Sequence, residues 1–145
     1  MSNKKKKTLE KRIYYRLTRS KYDVVMREDF KDLSDYDQVG RILRKFVDTG
    51  KLVRIGYGLY AKTTISPLSG NLVPRKSLNA LAKEALTRLN IDVRPSSYDQ
   101  AYNEGRSTQV PTGKVIGIRG RISRKIGYEG KRVVFERVLR KQRNY

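Results

Sequence analysis

Leu9, Ile13 and Leu17 recur at four-residue steps in "TLEKRIYYRLTRS", with arginines and lysines filling the other faces. One apolar stripe at that spacing predicts an amphipathic helix, and Thr8 stands where an N-cap belongs. Val24 and Val25 form a short apolar run. The following "MREDFKDLSD" predicts a short helix with Glu28 and Asp29 in its first turn, as the helix dipole favours, and with Phe30 and Leu33 facing inward. In "DYDQVGRILRKFVDTG" the residues Val39, Ile42, Leu43, Phe46 and Val47 follow i, i+3, i+4, i+7, i+8 without a miss. This predicts a third, longer helix. Its cap is Ser34 or Asp35, the latter pairing with Gln38 as a capping box, and Gly50 stops it.

The next stretch, "KLVRIGYGLYAK", matches the glycine spacing of a dinucleotide-binding turn. That turn works only if a helix follows to receive the phosphates at its N-terminus. Here "AKTTISPLSGNLVP" follows, with β-branched residues, two prolines and a glycine that oppose a helix, and no acidic residue for a ribose. The segment therefore predicts a β-hairpin, "KLVRI" and "LYAKT", joined through Gly56, Tyr57 and Gly58. Residues 65–74 are a Pro/Gly/Ser-rich connection. Beyond it, "RKSLNALAKEALTRLN" predicts a helix burying Leu78, Leu81, Ala82, Ala85, Leu86 and Leu89, "IDVRPS" a short strand, and "SYDQAYNEG" one or two helical turns. The remainder alternates like a small antiparallel sheet, with "KVIGIR" and "KRVVFERV" as strands and Tyr128-Glu129-Gly130 as the turn between the last two.

The expected fold is therefore α+β: an N-terminal winged helix-turn-helix over residues 8–64, a linker over 65–74, and a small α/β unit with antiparallel strands over 75–145. Residues 1–7 precede it as a basic, disordered arm.

Charge changes what this fold is for. The formal net charge is +20 on 145 residues, and the basic residues run along the whole chain. That balance points to a polyanionic partner, nucleic acid before an anionic membrane. The absence of cysteine and histidine removes disulfides, thiolate and imidazole metal sites, and histidine acid/base chemistry. No apolar stretch is long enough to span a bilayer, and the lysines at the start precede no apolar segment, so a soluble, cytoplasmic protein is expected. No cofactor, metal or catalytic group is expected.

At 100° per residue, Asp37, Arg41, Arg44, Lys45 and Asp48 lie opposite the apolar stripe of the third helix, with Gln38 on its flank. In a helix-turn-helix the N-terminal half of this helix enters the major groove, where glutamine suits adenine and arginine suits guanine. Gln38, Arg41 and Lys45 are thus the candidate base contacts. Arg16, Arg44, Arg54, Tyr57 and Lys62 are candidate backbone contacts, and Lys4, Lys5, Lys6 and Lys7 a non-specific arm.

"VVMREDF", "QVGRILRKFVDTGKLVRIGYGLYAK", "STQVP" and "KIGYEGKRVVFER" occur in the order found in winged-helix antitoxin-like regulators of the AbiEi type, and especially in a shorter bacterial family grouped with them. The chain resembles these over roughly residues 10–137. The resemblance implies a DNA-binding repressor that often controls its own operon, paired in many cases with a nucleotidyltransferase-like toxin. It places the recognition helix on residues 36–49 and the wing on residues 51–62. The relatives commonly carry a basic residue between the wing glycines where this chain has Tyr57.

Two other readings stay open. Such charge on a short chain, with ten tyrosines, also suits an RNA-binding or ribosome-associated protein, and an antitoxin can act by direct contact with its toxin through the C-terminal unit. An enzyme is disfavoured. The carboxylates of Glu28, Asp29, Asp32, Asp35 and Asp37 fall where helix dipoles already explain them, and Ser107 and Thr108 have only Lys114 nearby as a base.

Overall fold

The computed structural model describes residues 7–138. Among the described residues the architecture is α+β, with four α-helices and small, mainly antiparallel sheets. The chain forms two compact units: residues up to Arg54 together with Gly58–Arg75, and Ile55–Tyr57 together with Lys76 onward.

In the first unit, α1 (Leu9–Arg19) begins where the Thr8 hydroxyl accepts from the Lys11 N–H at 3.2 Å, and buries Ile13 and Leu17. The short strand β1 (Val24–Met26) leads into a single 3-10 turn, Arg27–Phe30. Asp29 caps that turn, its Oδ2 accepting from the Met26 N–H at 3.0 Å. The helix α2 (Tyr36–Asp48) starts at Asp35, whose Oδ1 accepts from the Gln38 N–H at 2.8 Å. The reciprocal half of the expected capping box is not made; the Gln38 side chain instead takes a bond from the Ser34 hydroxyl at 3.0 Å. Beyond the helix, Gly50 adopts φ +81°, a left-handed conformation that stops helices.

Where a phosphate-binding turn would need a helix, the chain makes the strands β2 (Leu52–Gly56) and β3 (Leu59–Ile65). Gly58 turns between them at φ +67°. β3 is the middle strand of its sheet, flanked by β1 and β2. The connection over 65–74 is not wholly irregular, because Leu72–Pro74 forms β4 and pairs antiparallel with the far half of β3. Ile13, Leu17, Phe30, Val39, Leu43 and Phe46 lie at the centre of one buried cluster, closed by Leu52 and Tyr60 from the hairpin. Each such side chain contributes roughly 1.5–3 kcal/mol by leaving water, so burial is the main force that fixes α2 and the direction of its opposite face.

The second unit contains α3 (Leu78–Arg88), capped by Ser77, then β5 (Asp92–Arg94) and α4 (Ser97–Asn103), closed by a reciprocal Ser96–Asp99 capping box. The strand β6 (Val115–Arg119) is the centre of a three-stranded sheet, antiparallel to β5 and parallel to β9 (Val134–Arg137). The expectation of an all-antiparallel sheet is corrected here. The hairpin of β7 (Gly127–Tyr128) and β8 (Lys131–Arg132) forms its own two-stranded sheet between them, so the chain returns to β6 in the same direction. Glu129 and Gly130, at φ 51° and 76°, make the tight hairpin turn. Gly117 is needed on β6: a Cβ there would sit 2.5 Å from the Arg94 carbonyl oxygen.

Candidate nucleic-acid interface

With Val39, Leu43 and Phe46 buried, α2 presents Asp37, Gln38, Arg41, Arg44, Lys45 and Asp48 to solvent. Arg41 and Arg44 have no hydrogen-bond or ion-pair partner among the described residues. Lys45 differs: its Nζ is 2.8 Å from Glu10 Oε2 on α1, a surface pair that fastens the two helices and offsets the lysine's charge. Of the three expected base contacts, Gln38 and Arg41 therefore share a clear stretch of helix, whereas Lys45 is already engaged.

The expected backbone contacts separate more sharply. Arg44 and Arg54 are exposed. Tyr57 is 75 % exposed, and its carbonyl accepts from Arg124 Nη1 at 2.9 Å, which leaves the ring free to face outward. Arg16 lies half-exposed along its own chain: its guanidinium holds both oxygens of Asp32 and donates to the Asp29 carbonyl at 3.1 Å. The hydrogen bond to Asp32 raises the Arg16 pKa above its ordinary value and lowers that of the Asp32 carboxyl. Arg16 is thus a tie between α1 and the 3-10 turn, and a backbone phosphate there would compete with Asp32 for it. For Lys62 the expected backbone contact is corrected. The lysine is only 6 % exposed, and its Nζ donates to the Ser20 carbonyl at 2.6 Å, the residue that caps α1. A buried ammonium bonded at a helix end locks the fold and cannot reach a phosphate. Of the lysine arm, Lys7 lies over the Tyr15 ring, 4.7 Å from its centroid, while Lys4, Lys5 and Lys6 lie outside the described residues.

One arrangement was not read from the sequence. The Arg27 guanidinium stacks on the Tyr36 ring at 4.2 Å and occupies the space where a Gly40 side chain would be. The available signal was Gly40 itself, since a glycine inside a helix costs roughly 1 kcal/mol relative to alanine and marks a close approach. The acidic residues grouped before α2 also have individual structural tasks: Asp29 and Asp35 cap, and Asp32 holds Arg16. Among the described residues no group of acidic side chains is placed to hold a metal ion, and no helix is long and apolar enough to cross a membrane. In the second unit, Ser107 and Lys114 line one pocket of about 430 Å³, with Tyr98, Val110 and Val134. The Ser107 hydroxyl there accepts from the Gln109 N–H at 3.2 Å.

Residues 12–143 match the model of a "Family of unknown function (DUF6088)". The chain belongs to this family. The DUF6088 match covers both compact units, so the helices of the first unit and the mixed sheet of the second are parts of one family pattern. No curated protein and no solved structure matches this DUF6088 chain.

Proposed function

We propose that this chain is a sequence-specific, double-stranded-DNA-binding transcriptional regulator in which the first unit acts as a winged helix-turn-helix. In this reading α2 enters the major groove and the β2–β3 hairpin is the wing. The likeness to AbiEi-type regulators supports an antitoxin-like repressor of its own operon, with a nucleotidyltransferase-like toxin as a further partner.

The observation that carries the reading is the exposed face of α2. Arg41 and Arg44 project there without a carboxylate partner among the described residues, next to Gln38, from a helix whose other face is buried. An uncompensated guanidinium on a rigid helix is suited to the paired acceptors of a guanine edge, and a glutamine to adenine. The Ser34 hydroxyl holds the Gln38 amide oxygen, so a two-point adenine contact exchanges that bond for one to the base.

The test compares binding of the duplex upstream of its own gene with binding of a scrambled duplex. Gln38→Ala and Arg41→Ala should each reduce the preference for the upstream duplex by about 1–3 kcal/mol, because each removes one base contact. Melting temperatures should stay unchanged, since both side chains are exposed. If the ratio of the two affinities is the same in both variants, α2 does not read bases. Tighter binding to single-stranded RNA than to either duplex would put the RNA-binding reading in its place.

A further inference from the structure

We propose that the groove at the carboxyl ends of β6 and β9 is a second phosphate-binding surface, one that grips the backbone of nucleic acid without reading its sequence. Duplex DNA as the polyanion rests on the regulator reading above; the phosphate chemistry of the groove does not.

Between Arg119 and Arg132 the chain carries six cations, Arg119, Arg121, Arg124, Lys125, Lys131 and Arg132, against one carboxylate, Glu129. All six are exposed, and none has an ion-pair partner among the described residues. The lone carboxylate lies beside Tyr128, whose pKa is raised by burial and by Glu129. Elsewhere some cations are compensated: Arg16 has Asp32, Lys45 has Glu10, Arg94 has Asp92, and Arg106 has Glu104. Six like charges crowded on one short segment repel one another, and an anion that joins them relieves this.

Geometry places one of these six cations, Arg121, with Arg137 around a defined space. The register pairs Ile118 with Arg137 and Ile116 with Phe135, so Ile118, Phe135 and Arg137 line one side of a groove of about 480 Å³. The loop after β6 supplies the other side with Gly120, Arg121, Ile122 and Ser123. Arg121, Arg137 and Ser123 thus border the same groove as the apolar Ile118, Ile122 and Phe135. The backbone N–H groups of Arg121, Ile122 and Ser123 donate to no acceptor among the described residues. Guanidinium forks, a hydroxyl and free backbone donors are the groups that position phosphates. Arg121 stands on a loop and Arg137 at the end of a strand, not on a helix that could lie in a major groove, so the surface is assigned to phosphates and adds affinity without specificity.

The experiment measures the salt dependence of affinity for the upstream duplex and for a scrambled duplex of equal length. In R121A/R137A the slope of log affinity against log salt should fall by about 1.8, at roughly 0.9 per lost phosphate contact, and each single variant should lose about half of that. Both duplexes should weaken by the same factor. R121K/R137K should regain most of the slope, and K83A/K114A, which removes two exposed, unpaired charges outside the groove, should leave it unchanged. A slope unaltered in R121A/R137A overturns the proposal, as does an equal loss in K83A/K114A. A lowered slope in a protein with no preference for the upstream duplex overturns the regulator reading and leaves the groove standing. Absence of any duplex binding overturns both.

Discussion

Arg27 and Gly40 couple the turn before α2 to the N-terminal half of that helix. Alanine at Gly40 should gain roughly 1 kcal/mol of helix propensity and lose roughly 0.5–1 kcal/mol as the Arg27 guanidinium is pushed from the Tyr36 ring. The net change in urea stability should be close to zero. In an Arg27→Ala background the same substitution should stabilise by the full propensity term, and equal effects in both backgrounds would show that the packing is energetically silent. Asp32 gives a second prediction at this scale. Its carboxyl pKa is lowered by Arg16, so its stabilising contribution is complete above the ordinary carboxylate pKa and disappears as pH falls through the lowered value. Asp32→Asn should flatten that acid loss of stability. It should also release Arg16 to solvent and raise affinity for any duplex at fixed salt.

Among the elements, β3 carries the hairpin, and Lys62 anchors it to the end of α1. Lys62→Ala should destabilise the first unit by about 1.5–3 kcal/mol, the range for a hydrogen bond from a charged donor, in urea unfolding. Duplex affinity of the folded fraction should not change, whereas a phosphate ligand at this position would lower affinity with stability intact. The contrast shows what a sequence carries and what it leaves out. α1, α2 and the hairpin were legible because each has one wet and one dry face, and burial imprints that period on Leu9, Ile13, Leu17 and on Val39 through Val47. The cations were legible as charge but not as partners. Whether Lys62 meets water or the Ser20 carbonyl depends on a strand and a helix end 42 residues apart, and no local pattern encodes that. The same holds for β9, whose alternation fits a strand of either direction, and for β4, hidden inside a segment rich in turn residues. On the candidate face, Gln38, Arg41 and Arg44 could be placed from helical spacing alone, but Glu10 beside Lys45 could not.

For the whole molecule, +20 of formal charge sets how binding responds to ions. If about six to ten phosphates are neutralised, raising salt from about 50 to about 200 mM should weaken duplex binding roughly 10³- to 10⁵-fold. Fluorescence anisotropy across that range checks it, and a flat response would remove electrostatics as the main source of affinity. The parallel pairing of β6 with β9 has a consequence for how the chain is made. A ribosome delivers β6 well before β9, and at about 5–20 residues per second the interval is about 1–4 s. Through that interval the nascent sheet offers a bare strand edge, a template on which neighbouring chains can add and aggregate. The segment synthesised in the interval holds Arg121, Arg124, Lys125, Lys131 and Arg132. Before these cations meet any ligand, their mutual repulsion between neighbouring nascent chains keeps that edge from being shared, as gatekeeper charges do beside unavoidable hydrophobic strands.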